Sequence, residues 1–243
     1  MAPARELRTH NPADKIAIGT GTDPYQPIAR TARITRSLLD VLVRYSGLRI
    51  GVVTKSRLIE RDIDLLVEVN RRNTLVLHLT ITLPDAALAR ILEPRAPRPD
   101  LRFAAVRTLR TAGLTPGILC SPLLPGFTDT PETLDAMASR VLEARASFFA
   151  TESLFLKSCS RPTFLSFVRL HFPHLTADYK MRFATEAFAS APYRNRLAAL
   201  VHQACRRHGL SPRSTDALLT LDTGVPRKPA VSPPAQAQRQ LLA

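Results

Sequence analysis

Residues 15–27 read KIAIGTGTDPYQP. Three apolar positions, Ile16 to Ile18, lead into a glycine and then into a turn that holds two threonines, an aspartate and two prolines. Such a short apolar run bounded by turn residues predicts a buried strand. Ile16 and Ile18 point to one side of it and Ala17 to the other. The polar turn that follows lies where a parallel α/β sheet collects its ligands, at the carboxyl end of a strand.

Working outward, the same punctuation recurs. Strands are expected at RIGVVT (49–54), LVLHLTIT (75–82), TPGILCS (115–121) and SFFATESLFL (147–156), all apolar and closed by turn residues. Between them run amphipathic helical segments. TARITRSLLDVLVRYSG places Ile34, Leu38, Val41, Leu42 and Tyr45 on one face and stops at Gly47. In SRLIERDIDLLVEVNRRN, Ile59, Ile63, Leu66 and Val67 form the face and Ser56 is the expected N-cap. PDLRFAAVRTLRTAG opens with Pro99 and Asp100 and ends at Gly113, and TPETLDAMASRVLEA repeats the device with Thr130 and Pro131. Five strands separated by helices predict βαβ crossovers and a parallel sheet, doubly wound or curled into a barrel. After residue 160 only helical patterns remain (161–172, 178–188, 192–209), and from Thr223 the chain is rich in proline, alanine and glutamine, as a disordered tail is. The expected division is therefore a barrel over 1–158, a helical extension over 159–222 and a tail over 223–243.

Composition narrows the function classes. The 243 residues carry 34 basic and 20 acidic side chains, a net charge of +14, so the surface attracts phosphate and other anions. Most arginines, Arg102, Arg107 and Arg110 among them, read as solvated helix faces. Three cysteines, Cys120, Cys159 and Cys205, stand far apart, which fits neither a disulfide framework nor a compact metal site. No apolar run is long enough to span a membrane and the amino terminus lacks a signal-peptide core, so a cytoplasmic protein is expected. GTGTDP is not a dinucleotide-binding G-x-G-x-x-G, because Pro24 stands in the third glycine's place. The His171–His174 and Cys205–His208 pairs each lack a second pair for a metal, and no Walker loop, G-x-S-x-G or H-E-x-x-H occurs.

The candidate site residues are the polar groups at strand ends: Thr20, Gly21, Thr22 and Asp23 after the first strand, Lys55 after the second, Thr80 on the third, with Ser121 after the fourth. Hydroxyls, one lysine and permissive glycine backbone suit a small ligand that carries a carboxylate, an amine and a ribose.

GTGTDPYQP, VVTKS, LTITLPDAALARILEPRAPRP, GILCSPLLPGFTD and FFATESLFLKSCSRP, in that order, resemble the spore photoproduct lyase-like branch of the radical S-adenosylmethionine (SAM) superfamily over roughly residues 6–210. The resemblance implies a partial (β/α) barrel that binds a 4Fe-4S cluster and SAM, and reduces SAM to a 5′-deoxyadenosyl radical. It implies that Thr20–Asp23 line the SAM amino group, that Lys55 meets the carboxylate and that Thr80 meets the ribose or methionine end. The family's signature is a CxxxCxxC loop after the first barrel strand, whose three thiolates hold three irons. No such loop occurs here, and KIAIG corresponds to the family's second strand. The expectation is a radical SAM barrel missing its first strand, inactive alone, with no catalytic or metal-ligating residue assigned within it. A cluster-free basic barrel remnant that binds nucleic acid is the alternative, and DNA photoproduct repair would suit the charge. An exposed edge on KIAIG would favour self-association.

Overall fold

A computed structural model describes residues 15–210 and 212–214. Six strands form one sheet in the order in which they occur along the chain: β1 (Lys15–Ile18), β2 (Arg49–Thr54), β3 (Thr74–Thr80), β4 (Pro116–Leu123), β5 (Phe149–Ser153) and β6 (Pro212–Ser214). Every neighbouring pair is parallel. The sheet is open, with β1 and β6 at its edges. This is the expected α/β barrel type with parallel strands, unclosed.

The crossovers are helical: α1 (Ala29–Ala32) and α2 (Ile34–Leu42), α3 (Ile63–Arg72), α4 (Ala86–Leu92), α5 (Pro99–Thr111) and α6 (Pro131–Glu143). Their starts follow from local chemistry. Thr130 Oγ1 accepts from the Thr133 amide at 3.2 Å at the head of α6, and Asp85 accepts from the Leu88 amide at 2.7 Å at the head of α4. Each cap satisfies an amide that the first turn leaves without a helical partner. Ser56 does cap, accepting from the Leu58 amide, but it opens a 3-10 turn over Arg57–Asp62 and α3 begins only at Ile63.

The long helix expected over 31–47 is broken. Arg33 adopts φ +50° between α1 and α2, while the Thr35 hydroxyl donates to the Pro24 carbonyl. The break turns α2 so that Leu39 and Leu42 are buried and Ile34, expected on the buried face, is 72% exposed.

One face of the sheet, carrying Ile50, Val52, Leu75, Leu77, Leu79 and Ile118, packs against the helices in a single apolar core. Ile16 and Ile18 lie against that core, while Ala17 faces the other way and is exposed. The opposite face carries a smaller cluster of Val76, Leu119, Phe148 and Ala150. There the Phe148 ring lies so close over Gly117 that a Cβ on Gly117 would fall 2.1 Å from it.

Beyond β5 come α7 (Arg161–His171), α8 (Thr176–Arg182) and α9 (Ala191–Arg207). The helix expected over 178–188 ends at Arg182, and residues 212–214, expected within the helical extension, form β6 instead. Val168, Tyr179, Phe183, Leu197 and Val201 belong to the same core as the sheet, so burial is continuous across residue 158. The expected tail over 223–243 lies outside the described residues.

Candidate cofactor site at the strand ends

The turn after β1 is fixed by Gly19 and Asp23. Gly19 has φ +97°, and a Cβ there would meet the Val53 carbonyl oxygen at 2.1 Å, so only glycine lets the turn run against β2. Asp23 then clamps the turn to the end of β2. Its Oδ1 accepts from the Tyr25 amide at 2.8 Å and from Thr54 Oγ1 at 2.6 Å, and its Oδ2 accepts from the Lys55 amide at 2.8 Å. Thr54 Oγ1 in turn accepts from the Ser56 amide. Thr20, Gly21 and Thr22 are exposed, and a Cβ on Gly21 would meet nothing within 4 Å. Thr22 Oγ1 accepts from Gln26 Nε2 at 2.8 Å.

Tyr25 anchors the turn from below. Its ring is buried, and burial together with the neighbouring Asp62 carboxylate raises the phenol well above its ordinary range. Asp62, itself fully buried, is held by Arg36 at 3.0 Å.

Across the rim, Lys55 Nζ pairs with Glu93 Oε1, which also accepts from Thr82 Oγ1 at 3.1 Å. Glu93 Oε2 accepts from Arg102 Nη2 at 2.9 Å. The rest of the Arg102 guanidinium is spent on the chain itself, Nη1 donating to the Thr80 carbonyl at 2.8 Å and Nε to the Pro97 carbonyl at 2.7 Å. Burial opposes ionisation of Glu93, but the Lys55 and Arg102 charges outweigh it and hold the carboxyl below the usual carboxylate range.

The structure therefore gathers Asp23 and Lys55 on one groove of about 560 Å³, lined also by Glu93, Arg30, Arg57 and Arg95. Thr20, Gly21, Thr22 and Thr80 do not line it; Thr80 is buried beneath the rim and supplies its carbonyl to Arg102. Sequence reasoning missed Glu93 and Arg102. It placed Arg102 on a solvated face, whereas the side chain is 1% exposed. The available signal was spacing: Arg102 stands three, four and seven residues before Ala105, Val106 and Leu109, on the apolar stripe of α5.

The thiols do not fit an iron–sulfur cluster. Cys120 is buried in the core and donates to the Thr82 carbonyl at 3.2 Å, with its pKa raised by burial and by Glu93. Cys205 is buried on α9, and burial pushes it up to about 11, while Cys159 is exposed after β5. Among the described residues no three His, Cys, Asp or Glu side chains stand close enough to hold a metal ion. Lys55, Glu93 and Asp23 instead put both signs of charge on the groove, as the zwitterionic end of an amino-acid-like ligand would require.

The family model of the radical SAM superfamily matches residues 2–138, more than half of the chain, and the chain belongs to that superfamily. An uncharacterised protein of Mycobacterium tuberculosis is 27% identical over 212 residues, which cover 85% of this chain and 62% of the relative. The chain thus spans less than two thirds of that relative's length. A spore photoproduct lyase complexed with dinucleoside spore photoproduct superposes with a TM-score of 0.63 at 15% identity, covering 88% of this chain and 64% of the lyase. Streptococcus suis SuiB bound to the precursor peptide SuiA gives 0.53 at 14% identity, over 87% of this chain and 40% of SuiB. The fold is that of spore photoproduct lyase. Among the described residues no helix is long and apolar enough to cross a membrane.

Proposed function

We propose that this chain is the SAM-binding part of a spore photoproduct lyase-like radical SAM enzyme. The observation that carries the reading is the Lys55–Glu93 pair, set beside Asp23 at the ends of adjacent parallel strands. Lys55 would take the carboxylate of SAM and Asp23 its amino group, with the exposed Thr20–Thr22 turn beside the groove; Thr80, buried beneath the rim, would act only through the carbonyl that holds Arg102. When bound together with a reduced cluster, SAM supplies the family's reductive cleavage chemistry. Cys120, Cys159 and Cys205 stand apart, two buried and one exposed, and on this reading the 243 residues by themselves hold no cluster and do not carry out that chemistry.

The substrate does not follow from the fold, since one structural neighbour holds a dinucleoside photoproduct and another a peptide. Nucleic acid is the substrate class favoured by the net charge of +14.

Calorimetric titration tests the assignment. A form supplied with the family's CxxxCxxC loop binds SAM, and Lys55→Ala weakens binding by about 1.5 to 3 kcal/mol, the worth of a charge-assisted hydrogen bond. Equal affinity in the variant would remove Lys55 from the site. Anaerobic reconstitution of the 243 residues with iron and sulfide gives no cluster absorbance near about 400 nm, a band that belongs to thiolate-ligated iron.

A further inference from the structure

The groove has a second feature that the SAM reading leaves unused. It is lined by the turn after β1 and the start of α1, which brings Arg30, and by the proline-rich segment 92–97, which brings Arg95. Among the described residues neither guanidinium has a hydrogen-bond or ion-pair partner; Arg30 takes part only through its backbone, the amide donating to the Pro27 carbonyl and the carbonyl accepting from Arg61. Arg57, on the same groove, pairs with Glu60 at 3.0 Å and is partly neutralised. Lys55 pairs with Glu93 and stays 40% exposed, and Glu93 pairs with both Lys55 and Arg102. Counting Arg30, Lys55, Arg57 and Arg95 against Asp23 and Glu93, the lining carries a net charge of two positive, and its unspent part sits on two guanidiniums contributed by two separate segments of the chain.

Guanidinium forks match phosphate oxygens, which they bind two at a time. Leu58, Leu92, Pro27 and Pro94 add apolar lining, and the volume of about 560 Å³ lies in the range of small-molecule sites. Prolines on both walls limit backbone rearrangement, so little ordering is spent when a ligand arrives.

We infer that this groove binds the phosphate of a nucleotide, with Arg30 and Arg95 gripping the phosphate and the apolar wall receiving the flat ring. The phosphate belongs either to a free nucleotide or to a nucleotide within a single strand. The inference does not use Lys55 and stands or falls apart from the SAM assignment.

The test is titration of the 243-residue protein at low salt with adenosine 5′-monophosphate, adenosine and a short oligodeoxythymidylate. Arg30→Ala/Arg95→Ala is compared with Arg206→Ala/Arg207→Ala on α9, which removes the same charge from an exposed surface elsewhere. The groove variant loses about tenfold or more in affinity for the phosphate-bearing ligand, and the α9 variant keeps it, as expected when specific charge-assisted bonds are removed. Adenosine binds far more weakly than its monophosphate. Binding of the monophosphate identifies a free nucleotide; binding of the oligonucleotide alone identifies a strand. The inference is overturned if neither phosphate ligand binds, if the groove variant binds as the parent does, or if the α9 variant loses as much. Both arginines are exposed, and an unchanged melting temperature confirms that the groove variant is folded. Arg95→Lys, which keeps the charge but not the fork, gives an intermediate loss.

Discussion

Two basic residues meet Glu93, and their burial separates their roles. Arg102 is 1% exposed and makes three kinds of bond at once, to Glu93, to Thr80 and to Pro97, whereas the Lys55 side chain is 40% exposed. Removing Arg102 takes a donor from the buried Thr80 carbonyl and the half-buried Pro97 carbonyl and leaves Glu93 with one cation fewer. Arg102→Ala is expected to cost about 3 to 5 kcal/mol, the range for breaking a buried pair, read as the shift of the denaturant midpoint. Lys55→Ala costs under about 1 kcal/mol, because water screens an exposed partner and Glu93 keeps Arg102 and Thr82. The protonation of Glu93 adds a pH dependence with a definite sign. Its carboxyl titrates lower in the folded protein than in the unfolded chain, so the unfolded state takes up the proton first as the pH falls. The stability it contributes is present above the ordinary glutamate value of 4.5 and is lost as the pH falls below it through the folded pKa. In Glu93→Gln that part of the acid limb is absent from a plot of stability against pH. An acid limb identical to that of the parent protein would show that Glu93 is not held as an anion.

At the scale of elements, the exposed liability is β1. It is four residues long and, among the described residues, is bonded only to β2, so one row of its backbone groups has no ladder partner. Such an edge is a template for pairing with a second chain, and the exposed Ala17 offers no charge to oppose it. We expect the 243-residue protein to self-associate, and Ala17→Lys to shift it toward monomer by light scattering; a parent protein that is monomeric at all concentrations contradicts this. The same element shows what the sequence makes legible. β1 to β5 could be read because strands buried in a parallel sheet are continuous apolar runs, and the caps at Thr130 and Ser56 because they are local chemistry. The break at Arg33 could not be read, since it accompanies a tertiary bond from Thr35 to Pro24. β6 could not either: Pro212–Ser214 has no alternation of its own and is a strand only because it lies beside Phe149–Thr151. In the site, Lys55 and Asp23 were visible as strand-end polar residues, but their partners were not. Glu93 reaches Lys55 across 38 residues, and burial of Arg102 depends on where α5 docks.

On the scale of the whole molecule, the decisive fact is that one core runs through the sheet and the three carboxyl-terminal helices. Those helices also fix the loop after β4, on the rim that carries the candidate site. Tyr179 donates its hydroxyl to the Pro125 carbonyl at 2.8 Å, Tyr193 donates to Asp129 Oδ2 at 2.9 Å, and the Phe127 and Phe172 rings meet edge to face at 4.3 Å. A barrel ending at residue 158 would expose the apolar surface these groups cover and leave the Asp129 carboxylate without its tyrosine. The expected consequence is a single unfolding transition. Calorimetric and van't Hoff enthalpies should agree, as they do when no part melts alone. Tyr193→Phe sharpens the test, because it deletes one hydroxyl from a buried carboxylate and costs about 1 to 3 kcal/mol. If the helices and the sheet form one cooperative unit, this substitution lowers the melting temperature of the entire protein by about 2 to 4 °C per kcal/mol, and near- and far-ultraviolet circular dichroism shift together. An early transition confined to the helical signal, with the sheet melting unchanged, would mean that residues 159–210 fold as a separate unit and that the rim beside β4 is held by the barrel alone.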